Sequence, residues 1–299
     1  VNKTPPWTVR QVGRAVHLLE FQFASRSDEA RILLRGDAHH DSVDSLPALE
    51  KRHLQDALLS NSPVIDNGDS LDLMQGAGDP RGSKSHVKPA YLVDDRYFDN
   101  VINEYAEFLS PFSKVLCCWG VGNHESNIAK RYEWNPITRL VERIRTLTGD
   151  TVYESGYQSW LIIRVRRGDP ENGAGKRINL WRSHGYGAGG GHAKNVSQVA
   201  RHAYTFPDAH ICVTGHCHNS WEMTYARARL RGYKVYQDEQ LHIAVPSYKD
   251  EYRDGFSVNP SWSIEKGMPP KPVGAVWLRI AFGKGENADR LVYEAERAK

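Results

Sequence analysis

Apolar and polar positions along the chain separate short strands from a few amphipathic helices. Ala15 to Phe21 and Ala30 to Leu34 are apolar runs of strand length. Leu46 to Leu59 instead places Leu46, Leu49, Leu54, Leu58 and Leu59 at helical spacing. Pro63-Val64-Ile65 is another apolar run and leads into Asp66-Asn67-Gly68-Asp69-Ser70-Leu71-Asp72. Tyr97 to Leu109 reads as a helix through Tyr97, Val101, Ile102, Tyr105, Phe108 and Leu109, and Lys114 to Trp119 as a buried strand. Helices are expected over 126–133 and 136–148, the second with Pro136 in its first turn. Residues 1–13 are expected to form a loose arm.

From Thr151 onward the pattern turns to strands. Ser159 to Val165, Arg177 to Trp181, Ala209 to Val213, Met223 to Leu230 and Val276 to Phe282 carry it. A glycine-rich loop, Gly187 to Gly191, leads to a helix expected near 193–204. Two stretches show no period: 74–94, rich in Gly, Pro, Ser and Lys, and 246–272, rich in Pro, Ser and aromatics. A βαβαβα first half followed by strands predicts an α/β fold of two mixed sheets packed together with helices outside. No linker divides the chain, so residues 1–299 are expected to form a single domain. Its metal-site core would span 30–220, and 221–299 would be a β-rich completion of the second sheet.

Composition narrows the function classes. The chain of 299 residues is 40% hydrophobic and 25% charged, ordinary for a soluble globular protein. A net charge of +3 is too weak to argue for nucleic acid by itself. No apolar run approaches a membrane span, and the N-terminal residues do not form a signal peptide. The four cysteines form no disulfide framework, and three of them sit in apolar runs, as buried thiols of a reducing compartment do. A cytoplasmic location is the expectation.

The 13 histidines change the picture, because several fall at strand ends beside Gly, Asn or Asp. Five strand ends carry metal-ligand residue types: Asp37-Ala38-His39, Gly68-Asp69-Ser70-Leu71-Asp72, Gly122-Asn123-His124-Glu125, His184-Gly185 and Gly215-His216-Cys217-His218. Each alone has an ordinary explanation; Asn123, for example, would serve as a helix N-cap. All five together do not. In an extended segment residues i and i+2 share a side, so Asp37 and His39 can converge, as can His216 and His218. Mixed carboxylate, imidazole and amide donors suit Mn, Fe or Zn better than Ca. Three aspartates as close as Asp66, Asp69 and Asp72 repel unless a positive charge lies among them.

In order, spacing and content these five blocks resemble those of the calcineurin-like metallophosphoesterase superfamily over residues 37 to 218. The resemblance implies a four-layer αββα sandwich and a centre of two divalent metal ions, manganese first, with Fe, Zn, Ni, Co or Mg as alternatives. Asp37, His39 and His218 would hold one metal, and Asn123, His184 and His216 the other. Asp69 would bridge them. His124 would protonate the leaving oxygen or stabilise its charge, and Asp72 would orient His124. General metal chemistry then predicts that a water bridging the cations becomes a hydroxide nucleophile attacking phosphorus in line.

The surrounding residues are less defined. Cys217 points opposite His216 and His218 and reads as packing. His40 reads either as a structural hydrogen bond or as a contact behind the ligands. Glu125 favours a helix N-terminus. His192 is a substrate-contact candidate, and His17, His53, His202, His210 and His242 read as structural or surface. Arg81, Lys84, His86 and Lys88 lie in the 74–94 loop, either solvated or clamping phosphate. Asp66 reads as a strand-end residue bonded to its own loop and solvated. Segments from Leu73 to Tyr91 look similar to phage-encoded members of the superfamily.

The expected substrate is a phosphate ester, most simply a phosphodiester such as a nucleotide, cyclic nucleotide or nucleic-acid end. Gly68-Asp69-Ser70-Leu71-Asp72 is followed by Leu73-Met74, without the arginine and glycine that phosphoprotein phosphatases resemble there. Alternatives are a phosphomonoesterase and a DNA exo- or endonuclease of the same superfamily. The latter would use Arg139, Arg143, Arg145, Arg164, Arg166, Arg167, Arg177 and Arg182, which ordinarily form a solvated face. A catalytically dead scaffold is the remaining class, and it conflicts with a complete ligand set.

Overall fold

The computed structural model describes residues 3–74, 86–93, 95–168, 175–187, 196, 198–252, 262–285 and 288–298. Three strands open the chain: β1 (Trp7–Gly13), β2 (Val16–Phe23) and β3 (Glu29–Arg35). A βα alternation follows, with α1 (Pro47–Leu59), β4 (Val64–Asp66), α2 (Tyr97–Leu109), β5 (Leu116–Trp119), α3 (Asn123–Tyr132), α4 (Pro136–Thr148) and β6 (Tyr153–Glu154). Then come β7 (Gln158–Arg167), β8 (Lys176–Ser183), α5 (Gln198–Thr205), β9 (Ile211–Thr214), β10 (Trp221–Arg231), β11 (Lys234–Ala244), α6 (Trp262–Glu265), β12 (Val276–Phe282) and β13 (Leu291–Arg297).

Two mixed sheets result. One has seven strands in the order β1-β2-β7-β8-β9-β11-β10, and the other six in the order β13-β12-β3-β4-β5-β6. Leu19, Phe21, Ile163, Leu180, Ile211 and Ile243 of the first meet Ile32, Leu34, Cys118, Leu278 and Ile280 of the second in one buried layer. Burying these side chains removes the largest apolar area from water and fixes the two sheets face to face. On the far side of the six-stranded sheet, Leu33, Val64, Leu116 and Trp119 pack against Leu54 of α1, Tyr105 and Leu109 of α2 and Ile144 of α4. On the far side of the other sheet, Trp181 stacks on Phe206 and lies beside His202 of α5. The architecture is the expected α/β sandwich, with helices outside two sheets.

Three features differ from the pattern in the sequence. The expected arm contains β1, which pairs antiparallel with β2 from Trp7↔Phe21 to Gln11↔His17. It is an edge strand with only Trp7, Val9 and Gly13 half-buried, so Thr8, Arg10 and Gln11 dilute the alternation. The strand before Asp69 ends at Asp66, so Asp69 belongs to the turn beyond it. The C-terminal strands complete both sheets: β10 and β11 join the seven-stranded one, β12 and β13 the six-stranded one.

Candidate metal centre

Parallel pairing puts the carboxyl ends of β3, β4 and β5 side by side in one sheet, and those of β8 and β9 side by side in the other. The five blocks leave the strands at these ends, where α/β sheets place their ligands. Main-chain bonds hold the turns together. The N–H of Asp37 donates to Gly68 O at 2.8 Å, that of His39 to Asp69 O at 3.0 Å, and that of Gly215 to His184 O at 3.0 Å.

The convergence does not come from extended backbone. Asp37, His39, Asp69, His216 and His218 all have positive φ, between 43° and 69°. Asp and His enter this left-handed region more readily than most residues, at a cost of about 1–3 kcal/mol each, and such strain concentrates at functional sites. The tight turn lets two side chains of one short loop point into the same space.

Two donor sets are brought together. Ligand atoms of Asp37, His39 and His218 lie within 4.8 Å of one another, as do those of Asp69, His184 and His216. His184 Nε2 is 3.0 Å from Asn123 Oδ1 and 3.1 Å from Asp69 Oδ2. His218 Nε2 is 3.4 Å from Asp37 Oδ1. A third grouping, His39, Asp72 and His124, overlaps the first.

Each of the four imidazoles has its other nitrogen placed against an acceptor. His39 Nδ1 meets Asp72 Oδ1 at 2.7 Å, and His218 Nδ1 meets Glu251 Oε2 at 3.3 Å. His184 Nδ1 donates to Asn67 O at 3.0 Å, and His216 Nε2 to Gly187 O at 2.7 Å. In the neutral imidazole these contacts select the tautomer whose inward nitrogen keeps its lone pair. His39 Nε2 and His216 Nδ1 are buried and have no hydrogen-bond partner among the described residues. Buried nitrogens are rarely left so. Donors of this kind fit a divalent cation.

The charges agree. Burial works to raise the Asp69 carboxyl, but the imidazoles of His184 and His124 hold it well below the usual carboxylate range. Burial would lower His184, but Asp69 and Asp37 push it up to about 9. Burial likewise opposes protonation of His218, and Glu251 with Asp37 pushes it up to about 10. The buried carboxylates demand positive charge here, which protons or a metal can supply.

His124 stands beside the two sets, its ring edge-on to His39 at 4.7 Å. Its Nδ1 donates to the main-chain carbonyl of Asp72 at 2.6 Å, and its Nε2 lies 3.9 Å from Asp69 Oδ2. The Asp72 carboxylate is 3.8 Å from His124 Nδ1 and closer to His39 Nδ1 and to Lys249 Nζ, at 2.7 and 3.0 Å. Asp72 therefore contacts His124 through its backbone rather than its side chain. Above the cluster opens a cleft of about 420 Å³ whose walls also include His86, Met74, Cys217 and Lys271.

The remaining candidates separate clearly. His40 turns away from the ligands to Glu104 at 2.9 Å and Glu50 at 3.6 Å, and Asp41 caps the Asp72 and Leu73 N–H groups. Lys88 Nζ donates to the His40 carbonyl. Asp66 bonds the Gly68 N–H and Ser70 Oγ of its own loop, as expected, but it is buried rather than solvated and paired with Arg35 at 3.1 Å. Arg182 is also buried, bonding Asp66 O, Ser155 Oγ and Gly156 O, and so leaves the expected solvated arginine face. His192, Arg81 and Lys84 lie outside the described residues.

Sequence reasoning missed Asn67, Gly187, Lys249 and Glu251, and it read Glu125 only as a helix-dipole residue. Glu125 is buried and accepts the N–H groups of Asp69, Leu71 and Gly122. Its position three residues into α3 was the available signal, since that is where a capping carboxylate reaches back. The others had none, because two act through main-chain carbonyls and two lie in a stretch without period.

No family model and no curated protein matches the chain. Among solved structures it is similar to GAP50, the anchor in the inner membrane complex of Plasmodium, with TM-score 0.40, 10% identity, and 90% of this chain and 84% of that chain covered. It is also similar to a conserved uncharacterized protein of Streptococcus pneumoniae, a predicted phosphoesterase, with TM-score 0.25, 12% identity, and 90% and 98% covered. At such overlap the function has to be read from the residues themselves.

Proposed function

We propose that this chain is a two-metal phosphoesterase, acting on phosphodiesters in preference to monoesters. The observation that carries the reading is the pair of donor sets, Asp37/His39/His218 and Asp69/His184/His216, with each imidazole backed by an acceptor behind it. Asp37, His39 and His218 would hold one cation and Asn123, His184 and His216 the other, with Asp69 between them. Manganese suits this mix of carboxylate, imidazole and amide, with iron and zinc next. When bound, the two cations neutralise phosphate oxygens and acidify water.

The protein's own groups supply the rest. Asp72 O holds the Nδ1 proton of His124, so the proton exchanged with substrate is the one at Nε2. From the cleft wall, His124 Nε2 delivers that proton to the leaving oxygen, a contribution of about 10²–10⁴-fold. The turns at Asp37 and Asp69 would fix these two ligand carboxylates before metal or substrate arrives.

The test compares wild type, Asp69→Ala and His124→Ala after chelation and reloading with Mn(II). Metal content and turnover of matched aryl phosphate diesters and monoesters are the readouts, with cyclic nucleotides and single-stranded DNA as further substrates. Asp69→Ala should lose metal and turnover together, while His124→Ala should keep metal and lose rate. Full occupancy with wild-type turnover in Asp69→Ala would sink the assignment. Monoester turnover above diester turnover would move it to a phosphomonoesterase.

A further inference from the structure

The two donor sets differ in what stands behind their imidazoles. His39 and His218 lean on the carboxylates of Asp72 and Glu251. His184 and His216 lean on the neutral carbonyls of Asn67 and Gly187. A charged acceptor makes an imidazole the stronger donor, so the two positions are not equivalent.

One side chain spans both outer carboxylates. Lys249 Nζ lies 3.0 Å from Asp72 Oδ1 and 4.0 Å from Glu251 Oε1, with its side chain 13% exposed. Its backbone is tied to the same turn that carries Asp37. The Lys249 N–H donates to Ser247 Oγ, Ser247 Oγ donates to Asp37 O at 2.8 Å, and the Tyr248 N–H donates to Asp37 O at 3.0 Å. Asp72 and Glu251 are like charges behind the neighbouring rings of His39 and His218, and a cation between them holds both in place.

We propose that Lys249 is a positioning residue for one half of the metal centre. By holding Asp72 against His39 and Glu251 against His218, it makes the Asp37/His39/His218 position the tighter of the two. The Asn123/His184/His216 position is left as the exchangeable one. This rests on the two-metal reading above.

Calorimetric titration of chelator-stripped protein with Mn(II) tests it without reference to turnover. Wild type should bind in a tight step and a weak step, and His216→Ala should remove only the weak one. Lys249→Met should weaken the tight step by about 10–100-fold and leave the weak step in place. Lys249→Arg should retain most of the tight step, and Glu251→Gln should reproduce the loss. Thermal melts of the metal-free variants establish that each is folded. Tight binding unchanged in both Lys249→Met and Glu251→Gln overturns the proposal, as does equal weakening of both steps in folded variants. Wild type taking up two equivalents in indistinguishable steps also overturns it, with the metal centre intact. Wild type taking up no metal overturns the two-metal reading and this proposal with it.

Discussion

Glu125 accepts the main-chain N–H of Asp69 at 3.1 Å, and the same buried carboxylate accepts those of Leu71 at 3.0 Å and Gly122 at 2.8 Å. The loop after β4 is thereby sewn to the start of α3. Burial and the nearby Asp69 push the Glu125 carboxyl well above its ordinary value, against the opposing pull of the Leu71 and Gly122 N–H groups. Removing it strands three N–H groups in a dry site. Glu125→Ala should destabilise the fold by about 1–3 kcal/mol or more in urea titration and lower metal uptake, with Glu125→Gln intermediate. Wild-type stability and metal uptake in Glu125→Ala would show that the three N–H groups find other partners.

Gly122 has no room for a side chain. A Cβ there would lie 2.0 Å from Asp69 Oδ1 and 2.3 Å from Asp69 N. Gly68 has φ +99°, and its Cβ would lie 2.5 Å from Gly122 N. The two turns pack backbone to backbone because both residues are glycine. Gly122→Ala should displace the Asp69 carboxylate and cost about 1–3 kcal/mol with loss of metal. Gly13→Ala is the control, since its nearest neighbour would be 3.5 Å away, and should change neither.

Arg35 sits beneath the site between two buried carboxylates, 2.6 Å from Glu50 and 3.1 Å from Asp66, with Trp119 and Tyr248 against its guanidinium. Burial works to raise Glu50, but Arg35 and His40 hold it down to about 2. Burial raises Asp66 to about 6 despite Arg35. Arg35→Met leaves both carboxylates without their cation. A loss of about 3–5 kcal/mol in equilibrium unfolding is expected. A loss under about 1 kcal/mol would mean that the pair takes up protons at little cost.

Acid should weaken the fold through two histidines remote from the proposed metal ligands. Burial, then Arg182, lowers His17 from 6.5 to about 4; burial, then His202 and Arg227, lowers His242 to about 4. Below pH 6.5 the unfolded chain takes a proton on each that the folded chain refuses until about pH 4. Their effect is therefore absent above pH 6.5, and stability is lost progressively as pH falls toward 4. The slope should not exceed about 1.4 kcal/mol per pH unit for each. Urea midpoints of metal-free wild type and His242→Gln at pH 7 and pH 5 measure it. The variant should lose less between the two, and identical losses would remove His242 from the account.

Much was legible in the chain because periodicity is local. The spacing of Tyr97, Val101, Ile102, Tyr105 and Leu109 bounds α2, and Val276 to Phe282 bounds β12, with the limits the structure shows. The five blocks were legible for a related reason, since ligand types beside glycine at strand ends stand out against an apolar background. Weak edge signals such as β1 were lost, because a half-exposed strand needs only a few apolar positions.

What only tertiary structure decided lies across the chain rather than along it. Sequence offered Asp37 and His39 as a converging pair, but left-handed turns rather than strand alternation bring them together. It offered three aspartates in one cluster. Folding buries Asp66 against Arg35, sets Asp69 against His184 and turns Asp72 to His39 and Lys249. The partners behind the imidazoles are a carbonyl of Asn67, a carbonyl of Gly187 and the carboxylates of Asp72 and Glu251. Carbonyls carry no residue identity, and Glu251 reaches His218 across 33 residues of sequence, counting from 218 to 251. The candidate ligands could be named from the chain because their chemistry is in their side chains. Their aim could not, because it is set by whichever backbone or side chain the fold brings behind them.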